Sequence, residues 1–128
     1  MLKYIKPDGM AAPQAEYSHG VLAPKGGELL FIAGQLGILP DGTLANGIGA
    51  QAEWAFRNLV RVLESAGMEP KDLVKIQLFL KEQEYLGVVE EARNVALGSA
   101  QPASTLMVVK SLAMPEFLFE VDGVAVRA

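Results

Sequence analysis

The hydrophobic positions of this chain follow two periods in turn, and each change of period marks an element. Leu29 to Ala33 (LLFIA) is a short apolar run rich in β-formers and bounded by glycines, which predicts a buried strand. From Ala52 the spacing becomes helical. Ala52, Ala55, Leu59, Val62, Leu63 and Ala66 form one stripe, while Glu53 and Arg57 sit at i,i+4 on the side predicted to be exposed. Asn46 is the expected N-cap and Gly67 the expected left-handed stop. The period then returns to two. Val74, Ile76, Leu78 and Leu80 face one way; Lys75, Gln77 and Lys81, with Phe79 among them, face the other. A second helical stripe, Tyr85, Val88, Val89, Ala92, Val95 and Ala96, predicts a helix from Glu82 to Leu97, stopped by Gly98. Thr105 to Val109 and Leu118 to Val126 read as strands, with a turn at Met114-Pro115. Upstream, residues 1–16 suggest a short lead-in strand and a loop, Tyr17 to Val21 an extended segment, and Pro24, Gly26 and Gly27 a turn. The glycines and Pro40 of residues 36–47 mark a loop.

The resulting order is strand, strand, helix, strand, helix, strand, strand. It predicts one α+β domain over residues 1–128, with two helices on one face of a mixed sheet. Strands separated by a helix should run parallel through right-handed crossovers. Leu29–Ala33 and Leu106–Val109 are apolar at every position, as if covered on both faces. Two helices cover only one face. A second copy of the chain is the simplest cover for the other, and a sheet curled on itself is the alternative.

Composition narrows the function. Hydrophobic residues make up 51% of the chain, which argues for a packed core rather than disorder. The net charge is −4 and Lys and Arg are scattered, so no stripe for nucleic-acid phosphates is visible. The absence of cysteine removes disulfides, a thiol nucleophile and Cys-ligated metal. It also fits a reducing cytoplasm. The first residues, MLKYIKPDGM, lack the apolar stretch of a signal peptide, and no run approaches the roughly 18 apolar residues of a membrane span. The expected partners are therefore a small molecule and further copies of the chain, in the cytoplasm, with neither membrane nor nucleic acid.

Several residues could carry chemistry. Glu120 and Asp122 alternate on the last predicted strand, so both carboxylates share a face. They could form an acid/base or water-positioning pair, or a solvated face salt-bridged to Lys110 or Lys75. His19 is the single histidine and has no acidic or nucleophilic neighbour in sequence. Tyr17 and Ser18 could line a pocket with hydroxyls or serve a turn. Gly34 could leave a backbone amide open to a ligand or merely end its strand. The hydroxyls of Ser104 and Thr105, in Pro102-Ala103-Ser104-Thr105, could hold a carboxylate or satisfy loop backbone. Trp54, Phe56 and Phe79 read as packing or interface residues. No P-loop, GxSxG, HExxH or dinucleotide fingerprint is present.

Taken together, AEYSHGV at 15–21, FIAGQLG at 31–37, the helix-strand block at 50–80, PAST at 102–105 and FEVDGVAVRA at 119–128 resemble the Rid family (RidA/YjgF), once labelled L-PSP endoribonucleases or translation inhibitors. The resemblance runs from about Ala12 to Arg127. It implies a chorismate-mutase-like fold, a homotrimer, and three pockets at subunit interfaces. It implies hydrolysis of reactive imines and enamines, such as 2-aminoacrylate, to ketoacids and ammonia without metal or organic cofactor. Tyr17, Gly34 and Glu120 match family pocket positions, with a Glu at the last-strand position orienting the attacking water. The family motif PARS uses its arginine to clamp a substrate carboxylate through two hydrogen bonds. Here Ser104 stands in the arginine's place and Val89 in that of a pocket asparagine. Losing one charge-assisted hydrogen bond costs about 1.5–3 kcal/mol, so 2-imino acids should bind at least about tenfold more weakly through this position. That departure implies a substrate lacking the usual carboxylate, or a trimer that binds or senses a metabolite without turnover.

Overall fold

The computed structural model describes residues 2–13 and 15–128. Its elements are β1 (Lys3–Ile5), β2 (Gly20–Leu22), β3 (Glu28–Leu36), α1 (Gly47–Ser65), β4 (Leu73–Leu80), α2 (Leu86–Leu97), β5 (Ala103–Val108) and β6 (Phe119–Arg127). Strands β1 and β2 pair antiparallel as a small ribbon. The main sheet has the order β3-β6-β4-β5. Strand β6 runs antiparallel to both neighbours, whereas β4 and β5, joined through α2, are parallel. The predicted mixed sheet with two helices is therefore present. The C-terminal strand lies between β3 and β4, which the α1 crossover separates.

Helix α1 forms where its stripe predicts. Ala52, Ala55, Leu59 and Leu63 are fully buried, and Phe56 joins them, tilted against Phe119 with ring centroids 5.4 Å apart. Asn46 occupies the N-cap position in extended backbone, although its side chain makes no capping bond. Gly67 takes φ +72° just beyond the helix, where a side chain would be strained. Glu53 and Arg57 form the predicted exposed pair at 3.1 Å.

Of the expected stripe, Tyr85, Val89, Ala92 and Ala96 pack on the core; helix α2 departs from it at Val88 and Val95. Its core-facing line is Val89, Arg93 and Leu97, at i, i+4 and i+8, while Val88 is exposed and Val95 is 82% exposed. An arginine on the inner line breaks the apolar pattern, and two valines on the outer line imitate it. The preceding turn, Gln83–Tyr85, is 3-10 rather than α-helical.

Strand β4 alternates as expected from Ile76 onward, with Ile76, Leu78 and Leu80 in the core. The register shifts between Leu73 and Lys75, so Leu73 rather than Val74 is the buried residue at the strand's start. The buried side chains of β4 and β6 form one cluster with α1 and with Val89 and Leu97 of α2. Gln51 is a buried polar tie at its edge. Its amide nitrogen donates to the carbonyls of Ala45 and Glu116, and its oxygen accepts from Leu118 N–H at 2.9 Å. Gly37 lets α1 approach this closely, because a β-carbon there would meet the Gln51 backbone at 2.4 Å.

The opposite sheet face is uncovered in the single chain. Leu29 is 60% and Phe31 73% exposed, and of the LLFIA run only Ile32 is buried. On the helix side, the edge strand β5 also leaves Leu106 and Val108 exposed. Burial on both faces, as these apolar runs suggest, is not met within one chain.

Candidate functional site

The candidate residues fall on the two faces of one sheet. On β6, Phe119 and Val121 enter the core, so Glu120 and Asp122 project from the open face. The cross-strand partners of Glu120 are Leu36 and Phe79, and that of Asp122 is Gln77. Both carboxylates are half-buried. Burial, and then the like charge of Asp122, raises the Glu120 pKa above the ordinary glutamate range. Burial also raises Asp122, opposed by a backbone hydrogen bond from Gln77 and by the charge of Lys75. The Gln77 side-chain amide lies 3.1 Å from Asp122 Oδ2, in reach to donate with its nitrogen turned toward the carboxylate. Lys75 donates to Thr105 Oγ1 at 2.6 Å rather than forming an ion pair with Glu120 or Asp122. Thr105 therefore lies on this open face.

Gly34 belongs to the same cluster. The β3-β6 register shifts between Ile32 and Gln35, and this irregularity brings Gly34 onto the Glu120 carboxylate. A β-carbon at position 34 would stand 1.7 Å from Glu120 Oε2. The missing side chain is what leaves room for that carboxylate. The sequence places a glycine at the end of an apolar run; only the register shows what it makes room for.

Tyr17 and Ser104 meet elsewhere. Ser104 pairs in register with Ile76, a core residue, so it faces the helix side of β5. With Tyr17, Glu16, Glu90 and Arg93 it lines a cleft of about 260 Å³ between α2, β5 and the N-terminal segment. Ser18 holds that segment against β5: its N–H donates to Pro102 O at 3.1 Å and it bridges to Ala103. Its buried hydroxyl has no partner among the described residues. His19 takes a structural position, with Nε2 2.9 Å from Ala11 O and its ring edge-on to Tyr17. Arg93, which the sequence pattern does not single out, is buried in the wall of this cleft.

One chain thus assembles Gly34, Glu120 and Thr105 on one face and Tyr17 and Ser104 on the other. No group of His, Asp and Glu among the described residues is arranged to hold a metal. Among the described residues no helix is long and apolar enough to cross a membrane.

A sequence profile described as Endoribonuclease L-PSP matches residues 9–127. The chain belongs to this family, the Rid proteins. Among its Rid relatives, a RutC family protein of Pyrococcus horikoshii is 29% identical over 129 residues, covering 99% of each chain. The 2-iminobutanoate/2-iminopropanoate deaminase of Salmonella typhimurium is 28% identical over 99% of each. Among solved structures, YyfB of Yersinia pestis, of the conserved Rid protein family, superposes with a TM-score of 0.86 at 28% identity over 98% of both chains. RidA from an Antarctic Psychrobacter superposes at 0.74, also with 28% identity, over 98% of this chain and 99% of that one.

Proposed function

We propose that this Rid protein is a cofactor-independent imine or enamine hydrolase with altered substrate choice, working in the cytoplasm at pockets shared between three identical subunits. The observation that carries the reading is the half-buried Glu120 carboxylate seated against the bare backbone of Gly34. A carboxyl group with a raised pKa is a better base than an ordinary glutamate, and its place beside open backbone suits a small substrate and a water. In the reaction, Glu120 takes a proton from water as the oxygen adds to the imine carbon. The proton passes to the substrate nitrogen to give a carbinolamine; its hydroxyl then yields a second proton to the nitrogen by way of Glu120, the carbon–nitrogen bond breaks, and ammonia leaves a carbonyl product. No metal or organic cofactor is required by these steps. Similarity to the Salmonella relative, a 2-iminobutanoate/2-iminopropanoate deaminase, supports this reaction class.

A shared pocket reconciles the two half-sites. Tyr17 and Ser104 of one subunit would face Glu120, Gly34 and Thr105 of another, and a neighbouring copy would cover Leu29 and Phe31. Sedimentation of the native protein should give three chains per particle; a stable monomer that hydrolyses imines would sink the shared pocket.

The direct test of function is ammonia release from imines made in situ by an amino-acid oxidase, across several amino acids. Native protein should accelerate release, and Glu120→Gln should lower the rate by about 10²-fold or more with the assembly intact. Equal rates would overturn the assigned role of Glu120. One observation favours a second reading, a non-catalytic metabolite-binding trimer: Ser104 stands where the family motif has a guanidinium. A small molecule that copurifies and is released unchanged, with no imine turnover, would select it. An RNA-acting role, the older family label, is not favoured, because the open face carries Glu120 and Asp122 beside a single Lys75.

A further inference from the structure

The Tyr17–Ser104 cleft contains a buried cation to which the proposed chemistry gives no task. Arg93 is only 6% exposed yet lines that cleft. Its guanidinium donates to Ala100 O and, at 3.1 Å, to Asn94 Oδ1. A guanidinium has five N–H donors, so these bonds leave three without a partner among the described residues. None of the ion pairs among those residues includes Arg93. Burial pulls its pKa down, and the charges of Glu16 and Glu90 at the cleft oppose that pull from beyond pairing distance.

An unpaired buried charge is costly, and tying one loop carbonyl to a helix does not need a charge. A neutral amide could cap Ala100 O. What the charge adds is the capacity to receive an anion. Across the cleft, the short side chain of Ser104 leaves the space open.

We propose that Arg93 is the anion-binding residue of this cleft, reaching in from α2 to take the carboxylate of a small ligand beside the hydroxyls of Tyr17 and Ser104. The inference rests on reading the cleft as half of the substrate pocket. It gives the altered substrate choice a cause: a carboxylate is still gripped, but from the helix rather than from the strand. The planar fork of Arg93 suits two parallel hydrogen bonds to one carboxylate.

The test needs no turnover. The native protein is titrated with 2-oxobutanoate at fixed ionic strength, with the neutral 2-oxobutanamide as control, and the Arg93 Nε–H signal is followed by NMR. The carboxylate should move that signal and the Ser104 amide, and the control should move neither. Arg93→Gln, which keeps a neutral amide donor, should bind 2-oxobutanoate at least about tenfold more weakly, and Arg93→Lys should fall between. Ammonia release by the native protein and 2-oxobutanoate binding by Arg93→Gln are separate readouts, so a failed hydrolase reading and a failed anion site give different results. No binding, binding that leaves the Arg93 signal unmoved, or undiminished binding by folded Arg93→Gln overturns the proposal. Should Arg93→Gln not fold, the native Nε–H shift decides alone.

Discussion

The two faces of the main sheet are built from alternate residues of the same strands, yet they obey opposite rules. Under the helices, β4 and β6 present Ile76, Leu78, Leu80, Phe119 and Val121, all apolar and nearly all fully buried. One residue along each strand, the open face presents Lys75, Gln77, Phe79, Glu120 and Asp122, half-buried and mostly polar. Stability is concentrated on the first face. The second holds two carboxylates whose pKa values are raised and apolar side chains left in solvent, arrangements that cost stability. Substitutions on the two faces should therefore separate folding from function.

The largest contrast comes from truncating the aromatic ring at the centre of the covered face. Phe56→Ala should cost about 3–5 kcal/mol, read from denaturant unfolding, through lost burial and the cavity left beside Phe119. Phe31→Ser, on the open face, should leave the unfolding of the separated chain nearly unchanged and instead shift sedimentation toward smaller species. If Phe31→Ser lowered stability as much as Phe56→Ala without changing assembly, the division between the faces would be wrong.

Gly34→Ala sharpens the comparison at intermediate size. The added carbon must displace the Glu120 carboxylate, whose oxygen it would meet at 1.7 Å, while the core beneath is untouched. Imine turnover should fall by about ten- to a hundredfold with little change in melting temperature.

The smallest effect is electrostatic. A carboxyl with a raised native pKa keeps its proton over a pH window in which the unfolded chain has lost it. Stability must therefore decline as pH climbs from the ordinary carboxylate range through the raised value. Asp122→Asn removes one such group and the like charge beside Glu120. It should flatten that decline in melting temperature and move the acid limb of the pH–rate profile to lower pH. An unchanged limb would mean that Asp122 does not act on Glu120.

What the sequence made legible divides along the same faces. The α1 stripe, the alternation of β4 from Ile76, the stop at Gly67 and the shared side of Glu120 and Asp122 follow from local periodicity, which needs only the chain's own geometry. The α2 stripe holds at Tyr85, Val89, Ala92 and Ala96 and fails at Val95 and Arg93, because Arg93 is polar and Val95 apolar while burial places them the other way round. Whether a charged residue turns inward depends on the cavity it meets, and that is a tertiary fact. The separation of Ser104 from Thr105, neighbours in sequence but on opposite sides of β5, is plain from strand parity once the pairing to Ile76 and Gln77 is known. The contact of Gly34 with Glu120 spans 86 positions of chain through a register shift that no local pattern announces.

The place of β6 has a consequence for how the chain comes off the ribosome. The last strand in the order is hydrogen-bonded on both sides, to β3 and to β4. Until it emerges, the nascent polypeptide carries two unpaired strand edges and a helix whose inner face has lost Phe119, its aromatic partner. Long-range pairing of this kind is slow and exposes such edges to other chains. Translation that stalls before Phe119 would release an aggregation-prone fragment rather than a smaller version of the fold, which makes the stretch that encodes β6 the point at which a chaperone is needed most.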